Sequence, residues 1–256
     1  MQTITVSNQK GGPGKTTIAL HLAMFLSEQG KRVLFIDLDP QANASKTLKV
    51  FHSVSEIVAS QLFNQDVVSV DPQERITLIE ADEAMADIER AQPQVLAQFK
   101  KNVLNLSESF DYCVIDTPPT LGLRMTAALL VADHVLAPIE LEEYSIDGIT
   151  KMLKTIFGVK EKWNPDLNFL GMLPNRFNSR SADQKETLTS LIQNYSHLLI
   201  RARIGIRTSI PAALKNGVPV WEVKGSSSAR EAGKEFQEAF RIIFEKWEEL
   251  NNDYGY

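Results

Sequence analysis

Short apolar runs alternate along the chain with segments whose apolar positions return every third or fourth residue. Thr3 to Ser7 reads as a first strand, followed by a glycine-rich turn. From Lys15 to Gln29 the residues Ile18, Leu22, Phe25 and Leu26 recur at helical spacing, and Gly30 is a natural stop. Val33 to Ile36 is a continuous apolar run, the pattern of a strand covered on both faces. Ile76 to Ile79, Tyr112 to Ile115, His134 to Pro138 and Phe169 to Leu173 are further strand candidates, and Leu199 to Ile206 is a later one with basic residues interleaved. Helical periods cover Gln94 to Ser109, Leu121 to Val131, Ile146 to Trp163 and Ala182 to Tyr195. Val50 to Glu74 is the hardest stretch to read and is taken as a helical excursion. Ala229 to Leu250 is a long final helix whose stripe of Phe236, Phe240, Ile243, Phe244 and Trp247 suits core packing. Alternating strands and helices predict an α/β fold, a mainly parallel twisted sheet with helices on both faces. No repeat or flexible linker divides the chain, so residues 1–256 read as a single domain.

Composition narrows the class. With 256 residues, 43% hydrophobic and 23% charged, the chain is neither disordered nor collagenous nor a coiled coil. Its one cysteine, Cys113, excludes an internal disulfide and a cysteine-cluster metal site. Met1 to Lys10 has no apolar run of signal-peptide length. The most apolar stretch, Ala127 to Leu141, is broken by Asp133, His134, Pro138 and Glu140 and is unsuited to crossing a bilayer. A cytoplasmic location is the expectation. His21, His52, His134 and His197 are scattered without ligand spacing.

Residues 9 to 17 read Gln-Lys-Gly-Gly-Pro-Gly-Lys-Thr-Thr, between the first strand and the first helix. That is the context of a phosphate-binding loop: glycines let backbone N–H groups face phosphate oxygens, and the helix adds its positive end. Lys15 would neutralise β/γ-phosphate charge and the Thr16 hydroxyl would sit on Mg²⁺. The strict G-x-x-x-x-G-K-S/T pattern is not met, because Gln9 stands at its first glycine and a second lysine, Lys10, opens the loop. Pro13 has no N–H to offer.

Two further motifs end strands. Asp37-Leu-Asp-Pro-Gln41 follows the second strand, where ligands bind in open α/β sheets. Val114-Ile-Asp-Thr-Pro-Pro119 puts Asp116 after an apolar run, the position of a carboxylate that holds a Mg²⁺ site.

Together these motifs resemble the ParA/MinD family of deviant Walker A P-loop ATPases. The resemblance implies an ATP- and Mg²⁺-dependent ATPase with the nucleotide at the sheet's C-terminal edge. It implies ATP-binding residues Lys10, Gly11, Gly12, Pro13, Gly14, Lys15, Thr16, Thr17, Asp37 and Asn175, with Asn175 on adenine. Thr16 and Asp116 would serve the metal. Lys10, Lys15 and Asp39 would be catalytic: Lys10 reaching the partner's phosphates across a homodimer, Asp39 positioning or activating water, and Asp37 organising the lysine and metal surroundings.

Charge is uneven. Between Arg176 and Lys234 ten basic residues face four acidic ones, a local excess of +6 in a chain of net charge −5. Such a patch suits polyphosphate binding. Residues Arg207 to Glu222 resemble the ParA region that binds DNA without sequence preference. By that resemblance Arg180 and Arg207 are the first candidates for phosphate contacts, followed by Arg203, Lys215 and Lys224. Many relatives carry Ile-Pro-Arg-Asn before the arginine equivalent to Arg207, whereas this chain has Ala202-Arg-Ile-Gly205. The resemblance is closest to partition ATPases without an N-terminal helix-turn-helix domain, the expectation for a first strand read from Thr3. It implies a nucleoid-associated ATPase of plasmid or chromosome partitioning, released from DNA when a ParB-like partner stimulates hydrolysis. The alternatives are a nucleoid-based ATPase that positions a protein cargo, and a MinD-type membrane regulator. The acidic end, Phe244 to Tyr256, disfavours a membrane anchor.

Overall fold

The computed structural model describes residues 1–142 and 146–253. In chain order the elements begin β1 (Gln2–Val6), α1 (Lys15–Glu28), β2 (Val33–Asp37), α2 (Asn43–Leu48), β3 (Ser53–Val54) and α3 (Gln61–Asn64). They continue with β4 (Ile76–Ile79), α4 (Met85–Ile88), α5 (Val95–Asn105), β5 (Tyr112–Asp116), α6 (Leu123–Val131) and β6 (His134–Glu140). The last are α7 (Ile146–Lys162), β7 (Asn168–Asn175), α8 (Ala182–Tyr195), α9 (Ser209–Lys215) and α10 (Ser227–Asp253). The seven strands form one sheet in the order β3-β4-β2-β5-β1-β6-β7, and every pairing is parallel.

Strand β1 lies between β5 and β6, with β2 and β4 on one side and β7 on the other. From β1 the chain crosses to β2 on one side, and from β5 it crosses back past β1 to β6 on the other, so the loop after β1 sits in the crevice where open α/β sheets bind ligands. In parallel register Asp37 faces Asp116 across β2 and β5, which brings both acids to this edge.

Period-two alternation assigns each strand's side chains to two cores. Val33 and Phe35 pack with Ile18 and Leu22 of α1 and with Phe236, Phe240 and Trp247 of α10. Leu34 and Ile36 pack on the other face with Phe63, Phe99 and Val103. The stripe expected of the last helix is therefore core, and Phe244 is partly buried against it. Helix α1 ends where Gly30 turns left-handed (φ 79°) and its N–H reaches the Ser27 carbonyl. Among the described residues no helix is long and apolar enough to cross a membrane, and residues 254–256 of the acidic end lie outside the described residues.

Two expectations fail. Leu199 to Ile206 is not a strand: it makes only isolated bridges, Leu199 with Met172 of β7 and Gly205 with Phe177, two residues past β7. Between them Arg201 and Arg203 are exposed, and the Ile200 and Ile204 amides alone reach β7 carbonyls. Val50 to Glu74 holds the short β3 and the one-turn α3 rather than a helical excursion. Buried Asn102 of α5 organises it, donating to the Leu62 and Gln65 carbonyls and accepting from the Val67 amide.

Two buried histidines make the fold acid-sensitive. His21 Nδ1 pairs with the Thr17 carbonyl at 2.8 Å, and its Nε2 accepts from the Val220 amide at 3.2 Å. Burial lowers His21, and separately His134, from 6.5 to about 4. Between those values the unfolded chain binds the protons that the folded chain refuses. The contribution of these two histidines to stability is therefore fully present above pH 6.5 and is lost as the pH drops towards 4. Urea unfolding at pH 7 and pH 5 should show a loss of roughly 2 kcal/mol or more from the pair. The double variant His21→Gln, His134→Gln should lose most of that slope, and an equal slope in both proteins contradicts the assignment.

Candidate functional site

The loop after β1 is shaped by its glycines and held from outside. Gly12 (φ 96°) and Gly14 (φ 81°) take conformations that a residue with a Cβ resists. A Cβ on Gly14 would also meet the Asn175 amide nitrogen at 2.3 Å. Asn175, buried at the end of β7, donates from Nδ2 to the Pro13 carbonyl at 2.7 Å. Asn8 braces the other end: its Nδ2 donates to the Pro138 carbonyl, and its Oδ1 accepts from the Lys10 amide. Lys15, only 6% exposed, curls back so that Nζ donates to the Lys10 carbonyl at 2.9 Å. Burial lowers its pKa, against the pull of Asp116 and Asp39.

Thr16 Oγ1 donates to Asp116 Oδ2 at 2.6 Å. The other oxygen, Asp116 Oδ1, is buried without a hydrogen-bond partner. Burial, and then the neighbouring Asp37, push the Asp116 carboxyl well above the usual range, while Thr16 and Lys15 pull it back. A buried carboxylate with one orphaned oxygen beside a hydroxyl fits a divalent cation. Among the described residues no group of three or more His, Cys, Asp or Glu is arranged to hold a metal. The pair therefore suits Mg²⁺, which takes one or two protein ligands and completes its shell with phosphate oxygens and water.

Asp37 is fully buried and works on the backbone. Its Oδ1 accepts from the Asp39 amide, and its Oδ2 accepts from both the amide and hydroxyl of Ser45. Burial raises its pKa, opposed by those Ser45 and Asp39 bonds. Asp37 thus fixes the turn that presents half-buried Asp39, whose own Oδ1 accepts from the Gln41 amide. Lys10 lines a cavity of about 430 Å³ with Pro119, Thr120, Leu121 and Lys151. Gly14, Thr17 and Asn175 line another, of about 270 Å³, with Gly205, Ile210 and Pro211 of the segment before and in α9.

The structure gathers Lys10, Lys15, Thr16, Asp37, Asp39 and Asp116 at one edge of the sheet. The side-chain amide expected on adenine is engaged on the loop, although Asn175 also borders the second cavity. The basic candidates divide. Arg180, Arg203 and Arg207 share a cavity of about 600 Å³, with Arg203 stacked 4.9 Å over the Phe177 ring. Lys215, at the end of α9, and Lys224 are exposed but do not line it. Arg207 is largely neutralised in place by Glu235 at 2.6 Å and Glu231 at 2.9 Å, and these acids raise its pKa. Sequence reasoning missed Asn8, Ser45 and Glu235. Glu235 stands one residue past the basic segment and was readable from charge alone; Asn8 and Ser45 carried no signal.

A family model described as an AAA domain matches residues 1–169. The chain is 42% identical over 260 residues to protein IncC of Escherichia coli, covering 97% of this chain and 70% of that one. It is 35% identical over 187 residues to the chromosome partitioning protein ParA of Myxococcus xanthus, covering 70% of this chain and 66% of that one. Among solved structures, the ATP complex of Cyanothece McdA superposes with a TM-score of 0.79 at 25% identity, over 95% of this chain and 96% of that one. Cobyrinic acid a,c-diamide synthase of Mycobacterium smegmatis, with an ATP analogue and magnesium, gives 0.73 at 27% identity over 94% and 96%.

Proposed function

We propose, because this chain belongs to the ParA-type family of P-loop ATPases, that it is a Mg²⁺-dependent partition ATPase that binds DNA as an ATP-held dimer. One observation carries the reading: the buried Lys15 and the Thr16–Asp116 pair meet beside Asp39 at the ends of β1, β2 and β5. Lys15 and the loop amides bind the triphosphate. Thr16 and Asp116 would hold magnesium, which would neutralise phosphate charge when bound. Asp39, fixed by Asp37, orients the attacking water. Lys10 of each subunit reaches the other's nucleotide, and a ParB-like partner stimulates hydrolysis and release from DNA. DNA retention with ATP and with ADP tests this: retention with ATP alone is expected, and none with either at low salt contradicts it.

The arginine cavity refines the DNA surface. Each phosphate contact adds about 0.9 to the slope of log affinity against log salt. Arg180→Ala and Arg203→Ala should each reduce that slope by about 1 in anisotropy titrations. Arg207→Ala should change it less, because Glu231 and Glu235 already occupy its guanidinium. Equal losses for all three would show that DNA displaces those acids.

A second reading, to which the same ATP site applies, is a nucleoid-based ATPase that positions a protein cargo. The ATPase chemistry is the same in both. The partner distinguishes them: a centromere-binding protein recovered with the ATP-bound chain favours DNA cargo.

A further inference from the structure

Arg176 follows Asn175 at the end of β7, and its backbone is left-handed (φ 54°). Ala42 (φ 52°), next to Gln41 of the Asp39 turn, is the other non-glycine residue in that region among the described residues. A residue with a Cβ resists this conformation and keeps it where the surroundings over-determine it, most often at ligand sites. Arg176 Nε donates to Glu140 Oε1 at 2.8 Å. Glu140 is 12% exposed and Arg176 is 53% exposed. The other oxygen, Glu140 Oε2, lies 3.5 Å from where a Cβ on Gly12 would stand. Glu140 thereby tethers the guanidinium alongside the phosphate loop, and Arg176 also lines the cavity shared by Gly14 and Thr17.

The loop lacks a donor at the same place. Pro13, next to Gly12, has no N–H, and its carbonyl is held by Asn175, the residue before Arg176. We propose that Arg176 is a nucleotide-contacting residue, whose guanidinium turns from Glu140 to the phosphates of a nucleoside triphosphate and supplies the donor that Pro13 lacks. The assignment rests on the reading of residues 9 to 17 as the triphosphate site. A guanidinium suits the task because its planar fork of five donors matches phosphate oxygens in pairs and stays charged. Glu140 keeps it oriented before the nucleotide arrives.

The test is equilibrium titration with a fluorescent ATP analogue, with adenosine as competitor. Arg176→Ala should raise the Kd for the analogue roughly 10-fold, the loss of one charge-assisted hydrogen bond, and leave adenosine competition unchanged. Arg176→Gly is the sharper variant. Glycine accepts the left-handed turn, so a residue that served only the turn would bind as wild type, whereas the assignment requires the same 10-fold loss. In a Pro13→Ala background, which restores the N–H, the penalty for losing Arg176 should shrink to about threefold or less, read as a double-mutant cycle. An unchanged Kd for Arg176→Gly, or an equal penalty in both backgrounds, overturns the assignment. Lys15→Ala in the same titration keeps the two readings apart. If it too binds as wild type, the triphosphate site itself is misplaced; if only the Arg176 variants do, this assignment alone fails.

Discussion

Lys15→Ala should abolish ATP binding, raising the Kd at least about 100-fold. The ammonium is buried, and burial has already weakened its hold on its proton. The chain tolerates such a desolvated cation because Nζ donates a hydrogen bond to the Lys10 carbonyl and Asp116 and Asp39 lie near. A triphosphate offers it a far stronger partner. Two charge-assisted hydrogen bonds lost at about 1.5–3 kcal/mol each correspond to roughly 100-fold or more. The variant should fold, since it removes a buried charge and leaves the glycine conformations and the Asn8 and Asn175 braces in place. Calorimetric titration checks the result alongside a thermal melt, and a Kd within threefold of wild type contradicts it.

Asp39→Ala should separate binding from hydrolysis. Asp39 receives its orientation through its own backbone amide, which donates to Asp37 Oδ1, and Asp37 is locked by Ser45. Alanine keeps that amide, so the turn keeps its anchor on Asp37 and loses, with the carboxylate, only the bond from the Gln41 amide. A positioned base contributes on the order of 10²–10⁴ in rate. Hydrolysis should fall by that factor while the Kd for ATP stays within about threefold, a split that P-loop chemistry produces when the water-positioning group is removed. Phosphate release with a paired binding titration reads both numbers. A rate within tenfold of wild type would move the water-positioning role to another residue.

The strands and most long helices were legible because buried parallel strands write continuous apolar runs and covering helices write a 3.6-residue period. The phosphate loop and both aspartate motifs were legible because each is a contiguous string at a strand end. What escaped depends on partners distant in the chain. Val50 to Glu74 takes its shape from Asn102, a polar side chain with no periodic signature. Leu199 to Ile206 has strand-like residues, but only the Ile200 and Ile204 amides bond to β7 and no ladder forms. Arg207 reads as a free cation until α10 brings Glu231 and Glu235 against it. Asn175 is placed by resemblance on the base, and its brace on the Pro13 carbonyl joins positions 162 residues apart.

ATP should join two copies of this chain, each lending Lys10 to the other's phosphates. Solution mass by light scattering on Asp39→Ala reads this, because slow hydrolysis preserves the ATP state. With ATP and Mg²⁺ the mass should be twice the 28.6 kDa of the chain, and with ADP it should be the single-chain value. Adding Lys10→Ala should return the ATP sample to one chain. A 28.6 kDa particle in both nucleotides, with ATP binding verified in the same sample, contradicts the account.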